Sequence, residues 1–176
     1  MSNPNFNLLW AQFPDHIQYP TLKDLFTHIG GTLARNINVP GFGPNGNTCA
    51  VRISRALNYS NAPISKKTVN SLKLNSITGA DGKHYIFRVR EIRLYLEHTL
   101  IARPIKVTRN FDKAFLGTKG IVAFSVNGWS DASGHVALWD GTTFKEPKFD
   151  DFRDLKDDPA TLFREPNTEG MTLWPL

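Results

Sequence analysis

The sequence predicts an α+β fold in which helices come first and a small antiparallel sheet follows. Three observations point that way. Apolar residues recur at helical spacing early in the chain, and from Gly120 the period shortens to that of strands. Thirteen glycines and eleven prolines in 176 residues supply more turns than a helical bundle uses. At this length a single domain over residues 1–176 is expected. Hydrophobic residues at 40% and charged residues at 21% exclude a disordered chain or a coiled coil. No apolar run approaches the ~20 residues of a membrane-spanning helix, so no membrane insertion is expected. Met1-Ser2-Asn3-Pro4-Asn5 lacks the basic-then-apolar layout of a secretory signal, which predicts synthesis in the cytoplasm.

Each element has its own signal. Phe6, Leu9, Trp10 and Phe13 share a helical face, with Asn3 as the expected N-cap and Pro14 as the stop. Leu22, Leu25, Phe26 and Ile29 repeat the pattern after Thr21, and Gly30-Gly31 ends it. Residues 38–46 form a Gly/Pro-rich loop leading into a helix that starts near Asn47, with Ala50, Ile53 and Leu57 on one face. Residues 59–83 are polar and turn-rich and read as a long loop. Tyr85-Ile86-Phe87 reads as a strand, and Val89 to Leu96 as a helix. Residues 120–126 and 135–139 are two buried strands, Asp140-Gly141 a hairpin turn, and Thr142 to Phe144 the start of a third strand.

Charge is unevenly distributed. From Glu146 onward eight acids face four bases, a net −4, which leaves +9 on residues 1–145. A basic body suits an anionic partner (nucleic acid, lipid headgroups or an acidic polymer such as murein), or serves plain solubility. No Lys/Arg tract interleaved with aromatics is present, so nucleic acid is not expected as a partner.

Cys49 is the only cysteine, which rules out an internal disulfide and a Cys-rich zinc site. A lone cysteine is commonly a small buried hydrophobe. This one follows a glycine-rich loop and falls in the first turn of a helix, where free N–H groups stabilise a thiolate. His135 lies on a strand beside Gly134, available as a base for that thiol. His16, His28, His84 and His98 sit at helix ends or strand borders and read as surface residues. No two histidines have metal-ligand spacing, so neither metal nor cofactor is expected.

Three blocks carry a resemblance. Asn47-Thr48-Cys49-Ala50-Val51-Arg52-Ile53-Ser54 resembles the nucleophile segment of the fourth family of type VI secretion amidase effectors. Residues 79–89 (Gly-Ala-Asp-Gly-Lys-His-Tyr-Ile-Phe-Arg-Val) resemble a second block of that family. Residues 128–141, around Gly134-His135-Val136, resemble a third. The resemblance implies a papain-like fold of the NlpC type. It implies an antibacterial toxin delivered by the secretion apparatus to the periplasm of a target bacterium. Its substrate would be murein stem peptides, cut at the γ-D-glutamyl–meso-diaminopimelate amide, and a cognate immunity protein would block the site.

By the same resemblance Cys49 is the nucleophile and His135 the base. The family's third residue is an Asp whose position falls on Glu146 here, so Glu146 is the expected partner of His135. Asp140 and Asp150 are the alternatives, and Asp140 also reads as a turn residue. The disulfide that members carry near this position is absent. Backbone N–H groups at the helix start, that of Cys49 included, are expected to meet the oxyanion. Trp129 and Ser130 are expected to wall the cleft, with core packing the other role open to Trp129. Arg52 is read either as an attraction for a carboxylate-rich substrate or as a solvated side chain. Two other functions fit the sequence: a non-catalytic murein-binding protein, and another thiol acyltransferase on the same fold.

Overall fold

In a computed structural model the described residues are 3–39, 42, 46–129, 134–156 and 165–176. Two short helices, α1 (Phe6–Ala11) and α2 (Leu22–Ile29), open the chain. The α1 cap is Asn5 rather than Asn3: its side chain accepts from the Leu8 N–H at 3.0 Å. Thr21 caps α2 with a reciprocal capping box to Asp24. Gly30 stops α2 at φ 71°, and α3 (Gly31–Arg35) starts from it, an element the sequence did not announce.

The central element is α4 (Cys49–Asn58), buried on every side except at Arg55. Cys49, Ala50, Ile53, Ala56 and Leu57 face one core with Leu9 and Phe13; Val51 faces another, built from Leu22, Leu25, Phe26 and Ile29. Its buried polar residues are each satisfied. The Ser54 hydroxyl donates to the Ile86 carbonyl at 2.9 Å and accepts from the Ile86 N–H at 3.1 Å. The Asn58 amide donates to the His84 carbonyl at 2.9 Å and accepts from the Ile64 N–H at 2.9 Å.

The segment expected as loop from 59 to 83 contains α5 (Lys66–Ser71), capped by Ser65, and β1 (Ser76–Thr78). Strand β1 pairs antiparallel with β2 (His84–Ile86). Then come α6 (Val89–Thr99), β3 (Ile105–Val107) and α7 (Phe111–Phe115). The main sheet adds β4 (Gly120–Asn127), β5 (Gly134–Trp139) and β6 (Asn167–Pro175), in the order β3-β6-β4-β5, all antiparallel. Its Ile121, Ala123, Val136 and Leu138 face pack on α4 and α6, while Val122, Phe124, Ala137 and Trp139 face Phe115 and Phe144.

The third strand expected at Thr142 to Phe144 is a single bridge, Trp139 to Phe144. The chain then enters a short helix, α8 (Pro147–Asp150), so Glu146 is its N-cap and not a strand residue. Pro147, at the first helical position, starts the turn. The partner of β4 away from β5 is instead β6 at the C-terminus, which lies far off in sequence.

Candidate functional site

The sulfur of Cys49 sits at the start of α4, buried where that helix meets β5. The helix start points unpaired N–H groups and the positive end of the helix dipole toward it. The N–H of Cys49 itself is engaged, donating to Asn47 Oδ1 at 3.0 Å. The N-cap of α4 is Thr48, not Asn47, and the Cys49 N–H, bound to the Asn47 side chain, is not the free oxyanion donor expected from the sequence.

His135 projects from β5 opposite Phe124. Its Nε2–H donates to Asp150 Oδ1 at 2.8 Å, and the ring lies close enough to Cys49 to feel its charge. Phe152 closes on the ring edge-on at 4.8 Å, and Trp129 stands edge-on to Phe152 at 5.2 Å. Trp129 thus packs behind the imidazole, through Phe152. Ser130 lies outside the described residues, as does much of the Gly/Pro-rich loop before Cys49.

The carboxylate beside His135 is Asp150, not Glu146. Glu146 turns the other way: its Oε1 accepts from the His16 N–H at 2.6 Å and its Oε2 from His16 Nδ1 at 2.8 Å. The reason is local. The helical turn from Pro147 to Asp150 brings residue 150 back over the start of α8, where Asp150 Oδ2 also accepts from the Glu146 N–H at 3.3 Å. Asp140 is the turn residue its sequence suggested: Oδ1 accepts from Thr142 N–H and Thr143 N–H, both at 2.8 Å, and from the Thr142 hydroxyl at 2.9 Å.

Electrostatics follow the geometry. Burial alone would lower the His135 pKa, but the Cys49 thiolate and the hydrogen bond to Asp150 outweigh it and raise the imidazole to about 9. Burial pushes the Asp150 carboxyl up, and the hydrogen bond from His135 opposes that rise. Glu146 is held below the usual carboxylate range: burial acts upward, and the two His16 hydrogen bonds and the Arg52 charge outweigh it.

Arg52 is neither solvated nor offered to substrate; it is 1% exposed. Its Nε–H donates to Thr48 Oγ1 at 3.0 Å, Nη1 to the Pro14 carbonyl and Nη2 to the Tyr19 carbonyl at 2.8 Å. Burial lowers its pKa, against the pull of Glu146 and Asp150. His16 was not a site candidate from sequence. It lies between two prolines in an aperiodic stretch, 130 residues from its partner, and no spacing rule links the two.

The arrangement can generate a thiolate, hold an imidazole in one orientation and move a proton between them. Residues 45–172 match the family model described as type VI secretion system amidase effector protein 4. Among solved structures, the effector Tae4 from Salmonella typhimurium, in complex with the immunity Tai4 from Enterobacter cloacae, is 32% identical. Its TM-score is 0.78, over 99% of both chains. The Enterobacter cloacae effector in its Tae4–Tai4 complex is 30% identical with TM-score 0.78, again over 99% of both chains. The Enterobacter cloacae Tae4 is 29% identical with TM-score 0.73, over 99% of this chain and 98% of that one. No match was found among curated proteins.

Proposed function

We propose that this chain, which belongs to the type VI secretion amidase effector protein 4 family, is a cysteine peptidase of papain-like, NlpC type that hydrolyses murein stem peptides. The observation that carries the reading is one imidazole, His135, hydrogen-bonded to Asp150 at 2.8 Å and raised by the charge of Cys49, which lies at the helix start that packs on the strand of His135. A purely murein-binding protein has no use for that triad, and the family is one of amidases.

The reaction starts with the proton of Cys49 on His135. The Cys49 sulfur attacks the carbonyl carbon of the γ-D-glutamyl–meso-diaminopimelate amide. Negative charge gathers on the carbonyl oxygen, and the start of α4 stabilises it through its N–H groups and dipole. The Cys49 N–H joins those donors when Asn47 releases it. As the C–N bond breaks, His135 gives its proton to the departing diaminopimelate amine, leaving a thioester on Cys49. His135, now neutral, takes a proton from water; the hydroxide attacks the thioester, the C–S bond breaks and the pair is restored. Asp150 makes no bond. It holds the ring with Nδ1 toward sulfur and stabilises the imidazolium.

The same reading gives the chain a single catalytic domain, a place of action in the periplasm of a target cell after delivery by the secretion apparatus, and an immunity protein that covers the site in the producing cell. The +9 body favours approach to a carboxylate-rich polymer. Mass spectrometry of purified muropeptides after incubation tests it. Expected are fragments cut between D-glutamate and diaminopimelate, absent with Cys49→Ala. Intact muropeptides with the parent protein, or cleavage by the alanine variant, would contradict it.

A further inference from the structure

Asp150 reaches His135 from α8, a helix of four residues that is too short to hold itself. Its supports come from the N-terminal segment. At the start of α8, Glu146 accepts both the backbone N–H and the ring Nδ1–H of His16. Along its side, the His16 ring stacks on Phe149 with centroids 4.1 Å apart and planes 12° from parallel. His16 therefore grips α8 at two points.

That grip is anchored in turn. Arg52 donates to the carbonyls of Pro14 and Tyr19, on either side of His16, so the 14–19 segment is tied to α4. A buried guanidinium needs its donors satisfied, and Arg52 has found Thr48, Pro14 and Tyr19. The contacts run from Thr48, the residue before Cys49, through Arg52 to the backbone on either side of His16, and from His16 through Glu146 and Asp150 to His135.

We propose that His16 and Glu146 are positioning residues: a clasp that fixes the Asp150 helix against the His135 imidazole, with Arg52 anchoring the clasp to the helix of the nucleophile. The inference rests on the reading of Cys49, His135 and Asp150 given above. Neither clasp residue makes contact with the reacting atoms. Both act through Asp150, whose displacement by about 1 Å is enough to cost on the order of 10²-fold in rate.

The chemistry of the clasp supplies its own control. Glutamine at 146 keeps both contacts, its oxygen accepting from the His16 N–H and its amide donating to a ring nitrogen in the other tautomer. Glu146→Gln thus removes the charge and keeps the clasp, while Glu146→Ala removes both. The experiment measures kcat and KM on muropeptides and the titration of the His135 ring by NMR. The proteins are the parent, Glu146→Gln, Glu146→Ala and His16→Ala.

In Glu146→Ala kcat should fall roughly 10- to 100-fold at unchanged KM. His135 should titrate below the parent's value of about 9. His16→Ala should move both in the same direction by less, since the backbone N–H still reaches Glu146, and Glu146→Gln should restore both. If Glu146→Ala does not fold, His16→Ala carries the same expectation. Parent kcat in the alanine variants overturns the clasp. So does a loss of kcat with the His135 titration unmoved, the mark of a merely structural role. Glu146→Gln as impaired as Glu146→Ala also overturns it, since charge and not position would then matter. Asp150→Asn run in parallel separates the two readings. Full activity there removes the triad itself, whereas an inactive Asp150→Asn beside normal clasp variants removes only the clasp.

Discussion

Two histidine–carboxylate pairs have their carboxylates four residues apart on one short segment, in different surroundings. His135–Asp150 and His16–Glu146 have the same 2.8 Å contact. The first is sealed, with side chains 9% and 3% exposed; the second is open on the histidine side, at 21% against 7% for Glu146. Only the first meets a thiol, and there the surrounding charge lifts the imidazole to about 9. A histidine–carboxylate hydrogen bond is therefore not itself a catalytic signature. What separates the pairs is the third group and the depth at which it is held.

The largest effect should come from the group that the two pairs do not share. Cys49→Ala should lose roughly 10⁴-fold or more in muropeptide cleavage. Its melting temperature should stay close to the parent's, because alanine fits a small buried position. Cleavage by that variant would erase the distinction between the pairs.

Asp150→Asn should follow, with a loss of roughly 10³- to 10⁴-fold in kcat. An amide in its place no longer stabilises the imidazolium and favours the wrong tautomer. Activity within a factor of a few of the parent's would mean that the sealed pair is structural after all.

The comparison sharpens with pH. The folded value of His135 lies above the ~6.5 of an unfolded histidine, so its charged form stabilises the fold. That contribution is complete below ~6.5 and is lost as pH rises through about 9. The melting temperature of the parent, relative to His135→Ala, should decline across that window. A constant difference from pH 6 to 10 would deny the raised value. The same deprotonation removes the imidazolium that protonates the leaving amine, so kcat should fall on the alkaline side near the same pH.

The smallest effect should be at Asp140, the carboxylate that belongs to neither pair. Asp140→Ala removes the acceptor for three donors in an exposed turn and should cost about 1–2 kcal/mol of stability with kcat unchanged. Chemical denaturation beside the cleavage assay checks both halves.

The helices and strands that carry Cys49 and His135 were legible because each has a strong local signal. A helix with apolar residues at helical spacing follows a glycine-rich loop, and a buried apolar run is followed by Asp-Gly. The elements that went unread, α3, α5, β1, β3, α7, α8 and β6, are short or pair with residues far along the chain. Strand β6 depends on β4, some forty residues earlier, for its place in the sheet. Glu146 was misplaced for a specific reason. The position of the family's Asp, carried over from the resemblance, falls on Glu146, whereas Pro147 starts a helical turn that brings residue 150, and not 146, back to His135. Arg52 and His16 could not be read at all, because their roles come from carbonyls and a carboxylate that only the tertiary fold brings near.

The central claim is that His135 takes its orientation and charge from Asp150 rather than Glu146. The most direct measurement is the NMR titration of the His135 ring in the parent, Asp150→Asn and Glu146→Gln. In the parent it should titrate at about 9. In Asp150→Asn it should move down toward ~6.5, and in Glu146→Gln it should stay near the parent's value. A downward shift in Glu146→Gln with none in Asp150→Asn would contradict the account.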